Sequence, residues 1–311
     1  MLTVLIATYN GARTLPRVLT ACCQLESPEG GWKLVIVDNA STDQTKEIIA
    51  SFSQQLPLTY RYEPRQGKSI ALNTGLSSIE GDLVVFTDDD VLPQANWLRQ
   101  IRSTADSQPS FALFGGPILP KWELPPEEWI LEWVPLSPTF AILYPAQEGP
   151  RDPRLIFGPN MTIRADIFRH GHRFDETLGP KGSQYDMGDE TEFNVRLAKA
   201  GFKAWHCPDA VVYHMIRSFQ MTQGWVLERA IHYGRARHRR EMRESPNSPA
   251  VLLGISWSLL SQIWAQKAQR LRVIRAMWQG NAEKIFKARW QLNFLTGRAL
   301  QARLMHRVKN V

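Results

Sequence analysis

The first 90 residues alternate short apolar runs with segments of helical character, and this alternation constrains the fold more than any other feature. The apolar runs cover residues 2–8, 33–39, 58–63 and 82–87, and the helical segments cover 14–23, 41–52 and 67–79. Strands that alternate with helices of about ten residues indicate βαβ units and a parallel sheet. Because the runs are apolar throughout, both faces of that sheet should be covered. The prediction is an α/β fold with a mixed, mainly parallel sheet flanked by helices.

The middle of the chain has a different character. Residues 115–153 are rich in proline and tryptophan, which predicts an irregular, aromatic segment. Further on, strands are predicted at 160–164, 202–208 and 210–214, and a helix is predicted from about 190 to 200. From residue 217 onward the pattern is helical and basic.

The charge of the chain is unevenly distributed. Residues 251–311 hold eleven of the 37 Lys and Arg residues and a single acid, Glu283. This asymmetry divides the 311 residues into a near-neutral body and a basic tail. Aromatic and leucine side chains among the bases fit an amphipathic helix on an anionic membrane surface, which we expect residues 251–311 to contact. The alternative is a set of helices packed on the body with a solvated basic face.

Cysteine content and hydropathy bear on the compartment. Three cysteines, two of them adjacent, form no disulfide framework and fit a reducing environment. The start MLTVLIATYN lacks the basic region of a signal peptide, and no stretch approaches the ~20 apolar residues of a spanning helix. We expect a cytoplasmic protein, either free or peripheral on the inner face of the cell membrane.

Three carboxylates, Asp88, Asp89 and Asp90, follow the fourth apolar run directly. Ligands of open parallel sheets bind at the carboxyl ends of the strands, and Thr8 and Asp38 end two neighbouring runs. Adjacent carboxylates repel and resist burial, and a hard divalent cation relieves both problems. The triplet is therefore a candidate metal–phosphate site. Alternatively, one aspartate caps a helix that starts near residue 93 and the others are solvated.

The stretches VLIATYNGARTL, VIVDNASTDQT, RQGKSIALNTGL, GDLVVFTDDD and GDETEFNVRLAKAGF, taken in this order, resemble the family 2 glycosyltransferases of the GT-A fold. The resemblance covers about residues 2–214. It implies an inverting enzyme that uses Mn²⁺ or Mg²⁺ to move a sugar from a nucleotide-diphospho-sugar to a glycan or lipid-linked acceptor. The implied setting is cell-surface polysaccharide or glycolipid synthesis. Residues 1–216 would form the catalytic domain, with a nucleotide-sugar half to about 114, and 217–311 the basic amphipathic region.

The resemblance also assigns residues to the nucleotide-sugar, by position in the motifs: Thr8, Tyr9, Asn10, Asp38, Arg65, Lys68, Asp88, Asp89 and Asn160. Residues 8–10 match the nucleobase pocket, and Asp38 matches the acid that binds the base, a uracil in many members. Arg65 and Lys68 match a basic turn near the phosphates, with a solvated turn as the alternative. Asp88 would reach the ribose. Asn160 would touch the sugar, unless its segment merely turns into the next strand.

The metal and the base complete the implied site. Asp90, Asp88 and His214 match metal ligands, with His206 as the rival histidine and core packing as the alternative for either. The family usually reads Glu-Asp, with Asp as the catalytic base, whereas this chain reads Asp189-Glu190. By position Glu190 takes the place of the base and Asp189 that of its neighbour, although the longer side chain of glutamate leaves the reverse open. The alternative is that both acids lie at a helix N-terminus and have no catalytic role.

Two other function classes compete with a glycosyltransferase. A nucleotidyltransferase also places carboxylates and metal on an α/β sheet, but it predicts a Gly-rich phosphate loop that residues 9–12, YNGA, match poorly. A non-catalytic membrane or nucleic-acid module would act through the basic tail. That module has no use for Asp38, the aspartate triplet or Glu190, so we expect no nucleic-acid partner.

Overall fold

The computed structural model describes residues 1–182, 185–244, 251–252 and 255–309. Within the predicted basic amphipathic region, 217–311, residues 245–250, 253–254 and 310–311 lie outside the described residues. The strands are β1 Leu2–Thr8, β2 Trp32–Asp38, β3 Leu58–Tyr62, β4 Leu83–Asp88, β5 Val91–Pro93, β6 Leu113–Gly115, β7 Ile118–Trp122, β8 Gly149–Arg151, β9 Met161–Arg164, β10 Ala204–His206, β11 Val212–Ile216, β12 Val251–Leu252 and β13 Ile255–Ser256. The helices are α1 Leu15–Cys23, α2 Thr45–Ser51, α3 Lys68–Gly75, α4 Trp97–Ser107, α5 Glu128–Trp133, α6 Leu136–Phe140, α7 Ala165–Arg169, α8 Asp189–Lys199, α9 Gln223–Glu244, α10 Trp257–Trp278 and α11 Ala282–Lys309.

The central sheet is mixed and mainly parallel at its N-terminal end, as predicted. In the described part of the chain it has eight strands in the order β3-β2-β1-β4-β9-β6-β10-β8. The four N-terminal strands run parallel, whereas β9 pairs antiparallel with both β4 and β6. The chain order reverses between β1 and β4, and such switch points are where α/β sheets bind ligands. A smaller sheet has the order β5-β11-β7.

Three of the four apolar runs, β1, β2 and β4, are buried on both faces, which confirms the expectation for them. The fourth run, β3, lies at the edge of the sheet and is only partly buried, with Tyr62 55% exposed. Along β1, Val4 and Ile6 belong to one core cluster and Leu5 belongs to the cluster on the opposite face. The first cluster includes residues of α1 and α4, and the second includes residues of α3 and α8. Successive side chains of a strand point to opposite faces, so an all-apolar strand needs a covering layer on each side.

Three sequence predictions differ from the structure. No helix starts near residue 93, because the chain continues as β5, which pairs with β11, and α4 begins only at Trp97. Helix α3 ends at Gly75 and a 3-10 turn, Leu76–Ser78, takes its place. The segment 115–153 is not irregular throughout, since it contains β7, α5, α6 and β8. Its prolines 125 and 126 precede α5, a position where proline does not interrupt the helix.

Contacts divide the chain into two compact units. One comprises Met1–Lys121, Ala141–Tyr185 and Asp189–Met215, and the other comprises Trp122–Phe140, Asp186–Gly188 and Ile216–Val311. Part of the segment that the sequence assigned to the catalytic domain thus groups with the C-terminal helices. Whether function divides at residue 216 remains a prediction. No helix in the described residues is long and apolar enough to cross a bilayer.

The second unit is built on a close crossing of α9 and α11. A Cβ atom on Gly234 would lie 2.0 Å from the carbonyl oxygen of Phe294, and one on Gly297 would lie 2.0 Å from that of Ile231. Real Cβ atoms do not approach this closely, so the two backbones meet only because both positions are glycine. Aromatic rings pack within the same unit: Phe140 stacks on Trp225 with ring centroids 5.7 Å apart.

Candidate active site

The predicted motifs end at one edge of the central sheet. In the parallel register Thr8 lies beside Asp38, and Ala7 lies beside Asp88. The hydroxyl of Thr8 donates a hydrogen bond to Oδ2 of Asp89, which ties the end of β1 to the aspartate triplet. The carboxyl ends of β1, β2 and β4 thus bring together side chains that are up to 81 positions apart in the sequence.

Lys68 lies at the centre of the acidic cluster. Its Nζ donates to Oδ1 of Asp88 at 2.6 Å and to Oε1 of Glu190 at 2.7 Å. Burial alone would lower the pKa of the lysine, but Asp88 and Glu190 raise it well above its ordinary value. The turn before α3 is fixed by Asn39, whose Oδ1 accepts from the backbone N–H of Gly67 at 2.7 Å. The basic turn and the two acidic motifs therefore meet through a single ammonium group.

The acid pair, Asp189 and Glu190, opens α8 as predicted, and its two members differ in environment. Asp189 is 2% exposed, and burial together with the neighbouring charge of Glu190 raises its pKa well above the ordinary range. Burial also acts to raise the pKa of Glu190, but the Lys68 ammonium and a hydrogen bond from Asp189 outweigh it and lower that pKa to about 2. Of the two acids Asp189 is therefore the more readily protonated, which favours Glu190 as the proton acceptor.

The aspartate triplet concentrates carboxylates that are expensive to ionise together. Burial first, and then the charges of Glu190 and Asp90, raise the pKa of Asp88 in spite of Lys68. Burial and Asp90 likewise raise the pKa of Asp89 to about 7, although the hydrogen bond from Thr8 opposes this. A cation close to these oxygens would stabilise their ionised form.

The donor set fits a hard divalent cation at Asp90 and His214. Strand pairing places Val91 opposite His214, so that Nε2 of the histidine lies 3.5 Å from Oδ2 of Asp90. His206, the rival histidine, is 1% exposed, and its Nε2 accepts from the backbone of Ala146. Within the described residues no group of three or more metal-binding side chains is preassembled. In nucleotide sites one or two carboxylates suffice to hold Mg²⁺ where phosphate oxygens and water complete the shell, and the imidazole would add one nitrogen ligand beside Asp90.

The residues that the resemblance assigns to the nucleobase lie in and beside the loops after β1 and β2. Asp38 is 3% exposed, and its oxygens accept from the backbone N–H of Ser41 and the hydroxyl of Tyr60. Asn10 has a left-handed φ of 53°, and its Oδ1 accepts from the backbone N–H of Thr42. Tyr9 remains 39% exposed. The geometry brings these residues to the same edge as Lys68, and their contacts with a nucleobase remain predictions.

Two residues assigned to the donor are engaged elsewhere. The guanidinium of Arg65 donates to Glu63 and Glu176, so it does not join Lys68 among the site acids. Asn160 is 1% exposed and its amide is fully used: Nδ2 donates to the carbonyls of Pro117 and Ala210, and Oδ1 accepts from the indole of Trp97. These contacts favour the alternative, a residue that fixes the turn into β9, and a sugar contact by Asn160 stays a prediction.

Glycines lie against Asp189, Glu190 and Thr8, and sequence reasoning missed their role. A Cβ on Gly158 would lie 2.4 Å from Oε1 of Glu190, and one on Gly179 would lie 2.8 Å from Oδ2 of Asp189. A Cβ on Gly11 would lie 2.3 Å from the hydroxyl oxygen of Thr8. Of these three glycines only Gly11 lies inside the stretches quoted above, and its position there does not reveal what it touches.

Comparison with known proteins places the chain in a family. The model of glycosyl transferase family 2 matches residues 3–170. The glycosyltransferase AglE of Haloferax volcanii is 27% identical over 225 residues, which are 70% of this chain and 67% of AglE. Glucosyl-dolichyl phosphate glucuronosyltransferase of the same organism is 21% identical over 74% of each chain.

Solved structures of similar fold extend over nearly the whole chain. The mannosyltransferase PcManGT from Pyrobaculum calidifontis, in complex with GDP-Man and Mn²⁺, aligns with a TM-score of 0.63 and 20% identity over 96% of this chain and 86% of its own. S. aureus TarS 1-349 in complex with UDP-GlcNAc aligns with a TM-score of 0.57 and 16% identity over 96% and 90%. These neighbours establish the GT-A fold.

Proposed function

Because this chain belongs to glycosyl transferase family 2, we propose that it is an inverting, metal-dependent enzyme that transfers a sugar from a nucleotide-diphospho-sugar to a glycan or lipid-linked acceptor. The observation that supports this most directly is the contact of Lys68 with both Asp88 and Glu190. This contact brings together three predicted roles: Lys68 is matched to the donor phosphates, Asp88 is matched to the nucleotide, and Glu190 is the candidate base. Family membership removes the two alternatives, a nucleotidyltransferase and a non-catalytic binding module.

Lys68 has two roles in this proposal. Its ammonium would pair with the donor diphosphate, where negative charge grows as the bond to the anomeric carbon breaks. In doing so it would leave Glu190, whose pKa is lowered to about 2 chiefly by that ammonium against the effect of burial. Burial then raises the proton affinity of Glu190. Donor binding would thus prepare the base.

Glu190 would take the proton of the acceptor hydroxyl as that oxygen attacks from the face opposite the leaving group. Its position against Gly158 limits where the carboxylate can lie. Asp189, buried and the more readily protonated of the two acids, would hold Glu190 in place by a hydrogen bond. A carboxylate base of this kind contributes about 10²–10⁴-fold to a rate.

A divalent cation, Mn²⁺ or Mg²⁺, would be held by Asp90 and His214, with Asp88 nearby. When bound, it supplies positive charge to the diphosphate leaving group. The chain's own part is to keep the imidazole beside the carboxylate, which β5 and β11 do through their pairing. The backbone carbonyl of Asp90 also accepts from Met215 at 2.8 Å, so this turn is fixed from both strands.

The relatives guide the choice of donor and acceptor. One structural neighbour holds GDP-Man and another holds UDP-GlcNAc, so both bases are to be tested, with a UDP-sugar favoured by the resemblance at Asp38. The name of one relative specifies a glucosyl-dolichyl phosphate acceptor, which supports a lipid-linked acceptor and a role in cell-surface polysaccharide or glycolipid synthesis. A cytosolic location remains our expectation.

The test is release of nucleoside diphosphate from a panel of UDP-, GDP- and dTDP-sugars with Mn²⁺, with Mg²⁺ and with a chelator. We expect release from one donor, lost with the chelator and reduced about 10²-fold in Lys68→Met. Lys33→Met is the matched control, because Lys33 pairs with the exposed Glu80 away from the site acids. Release that persists in the chelator would contradict metal dependence. The proposal would be overturned if the folded protein neither released a nucleoside diphosphate nor bound a nucleotide.

A further inference from the structure

Helix α10 exposes large apolar side chains along one face. Trp264, Leu271 and Trp278 are 69%, 69% and 89% exposed. They recur at intervals of seven residues, which is two helical turns, so they form one stripe along the helix. Ile274, 53% exposed, lies beside it. We call this set of four side chains the outer face of α10.

The opposite face of α10 carries three glutamines beside the buried Ala276 and packs on α11. Gln266 donates to the hydroxyl of Thr296 at 2.7 Å, and Gln269 donates to the carbonyl of Ala288 at 3.1 Å. The side-chain oxygen of Gln262 accepts from Arg298 at 2.8 Å. A surface helix ordinarily buries its apolar stripe and exposes its polar one. Here the order is reversed, which indicates that the outer face meets another apolar phase.

The charges around the outer face identify that phase. Helix α10 carries Lys267, Arg270, Arg272 and Arg275 and contains no acid. All four basic side chains are exposed, and the ammonium of Lys267 lies 5.7 Å from the ring centre of Trp264. Indole rings combined with bases on one helix match the headgroup layer of an anionic membrane, where the rings enter the interface and the bases meet lipid phosphates.

We propose that the outer face of α10 docks on an anionic lipid surface. A second copy of this chain is a poorer partner, because two such faces would bring like charges together. Nucleic acid would use the bases and leave the apolar stripe in water. The inference concerns the second unit alone and does not rest on the proposed sugar transfer.

The experiment is co-sedimentation of the full chain with vesicles of phosphatidylcholine, with and without 30% phosphatidylglycerol. We expect binding to the anionic vesicles alone, with a blue shift of tryptophan emission. The triple variant Trp264→Ser, Leu271→Ser, Trp278→Ser should lose both. Replacing Lys267, Arg270 and Arg275 by Gln should lower the partition coefficient about 100-fold.

The control replaces three exposed apolar side chains elsewhere, Leu124→Ser, Tyr144→Ser and Leu155→Ser, and should bind as the parent does. Circular dichroism and melting temperature verify that each variant folds. The proposal is overturned if the parent does not bind anionic vesicles, or if the serine variant of α10 binds them as well as the control does. It is also overturned if that variant only converts a dimer into a monomer, because the outer face is then a subunit interface.

Discussion

Glu190 and Asp189 are adjacent in the chain, yet the fold shifts their pKa values in opposite directions. The ammonium of Lys68 lowers the pKa of Glu190 against the effect of burial, whereas burial and the charge of Glu190 raise the pKa of Asp189. The sequence identified the pair and its place at a helix start but left the base undecided. Only the three-dimensional position of Lys68, 122 residues from Glu190, separates them.

This difference predicts unequal effects of two conservative changes. Glu190→Gln should lower kcat by about 10²–10⁴-fold, because the amide cannot accept the acceptor's proton. Asp189→Asn should cost far less, since the amide can still donate a hydrogen bond to Glu190 as the neutral acid does. Steady-state kinetics with the donor identified in the release assay measures kcat for both variants. If Asp189→Asn proves the more damaging, the roles of the two acids are reversed.

Gly158 offers a second prediction at the scale of one residue. In Gly158→Ala the new methyl would meet the tip of the Glu190 side chain at 2.4 Å. Because that tip is flexible, the side chain should move and the fold should persist. A displacement of about 1 Å in a catalytic group lowers kcat by about 10²-fold. The control is Gly224→Ala, where a Cβ meets nothing within 4 Å. An unchanged kcat with Gly158→Ala would show that Glu190 is not held there for catalysis.

Whole elements were predictable where their pattern is long and local. The four N-terminal strands follow from their apolar runs, and α8 follows from the acids and periodicity at its start. The three-residue strands β5, β6 and β8 carry too few residues for any periodicity, and pairing across the sheet creates them. Asn160 could not be placed, because its three partners lie in segments distant in sequence.

Helix α9 carries a prediction for the pH dependence of stability. His238 is 2% exposed, and burial, reinforced by Arg298, lowers its pKa to about 4. The unfolded chain takes up this proton near pH 6.5. Between pH 6.5 and 4 the unfolded state therefore binds more protons, and the free energy of unfolding falls as the pH falls. At pH 5 the loss due to His238 is about 2 kcal/mol.

Urea unfolding at pH 7 and pH 5 measures this loss. In His238→Gln the difference between the two pH values should shrink by about 2 kcal/mol. The other buried histidines make the same contribution to the pH dependence of unfolding in both proteins, so the comparison isolates the contribution of His238. The exposed His170→Gln serves as control and should leave the difference unchanged. If the difference in the free energy of unfolding between pH 7 and pH 5 is the same for His238→Gln and the parent, the side chain of His238 takes up its proton in the folded protein as it does in the unfolded chain.

At the scale of the whole molecule, charge and chemistry occupy different units. The site acids and Lys68 belong to the unit that contains the central sheet, and the basic helices α9, α10 and α11 belong to the other. Composition alone predicted this asymmetry. It could not reveal that residues 122–140 join the C-terminal helices, because that grouping depends on aromatic contacts such as Trp129 with Phe286.

Ligand-linked stability tests the site through the whole molecule. Mn²⁺ and UDP together should raise the melting temperature more than the sum of their separate effects, by a few degrees at 100 times their dissociation constants. The expected loss of the joint effect in Asp90→Asn follows from the place of Asp90 beside His214. The exposed Asp166→Asn is the control. An undiminished joint effect in Asp90→Asn would remove Asp90 from the metal site.

The glycine crossing of α9 and α11 has a consequence for how this lineage can vary. Each glycine accommodates the backbone of the opposite helix, Gly234 that of Phe294 and Gly297 that of Ile231. A larger residue at either position separates the helices and removes the reason for glycine at the other. The two sites should therefore drift as a pair: descendants retain both glycines or neither, and a single replacement should be rare among them.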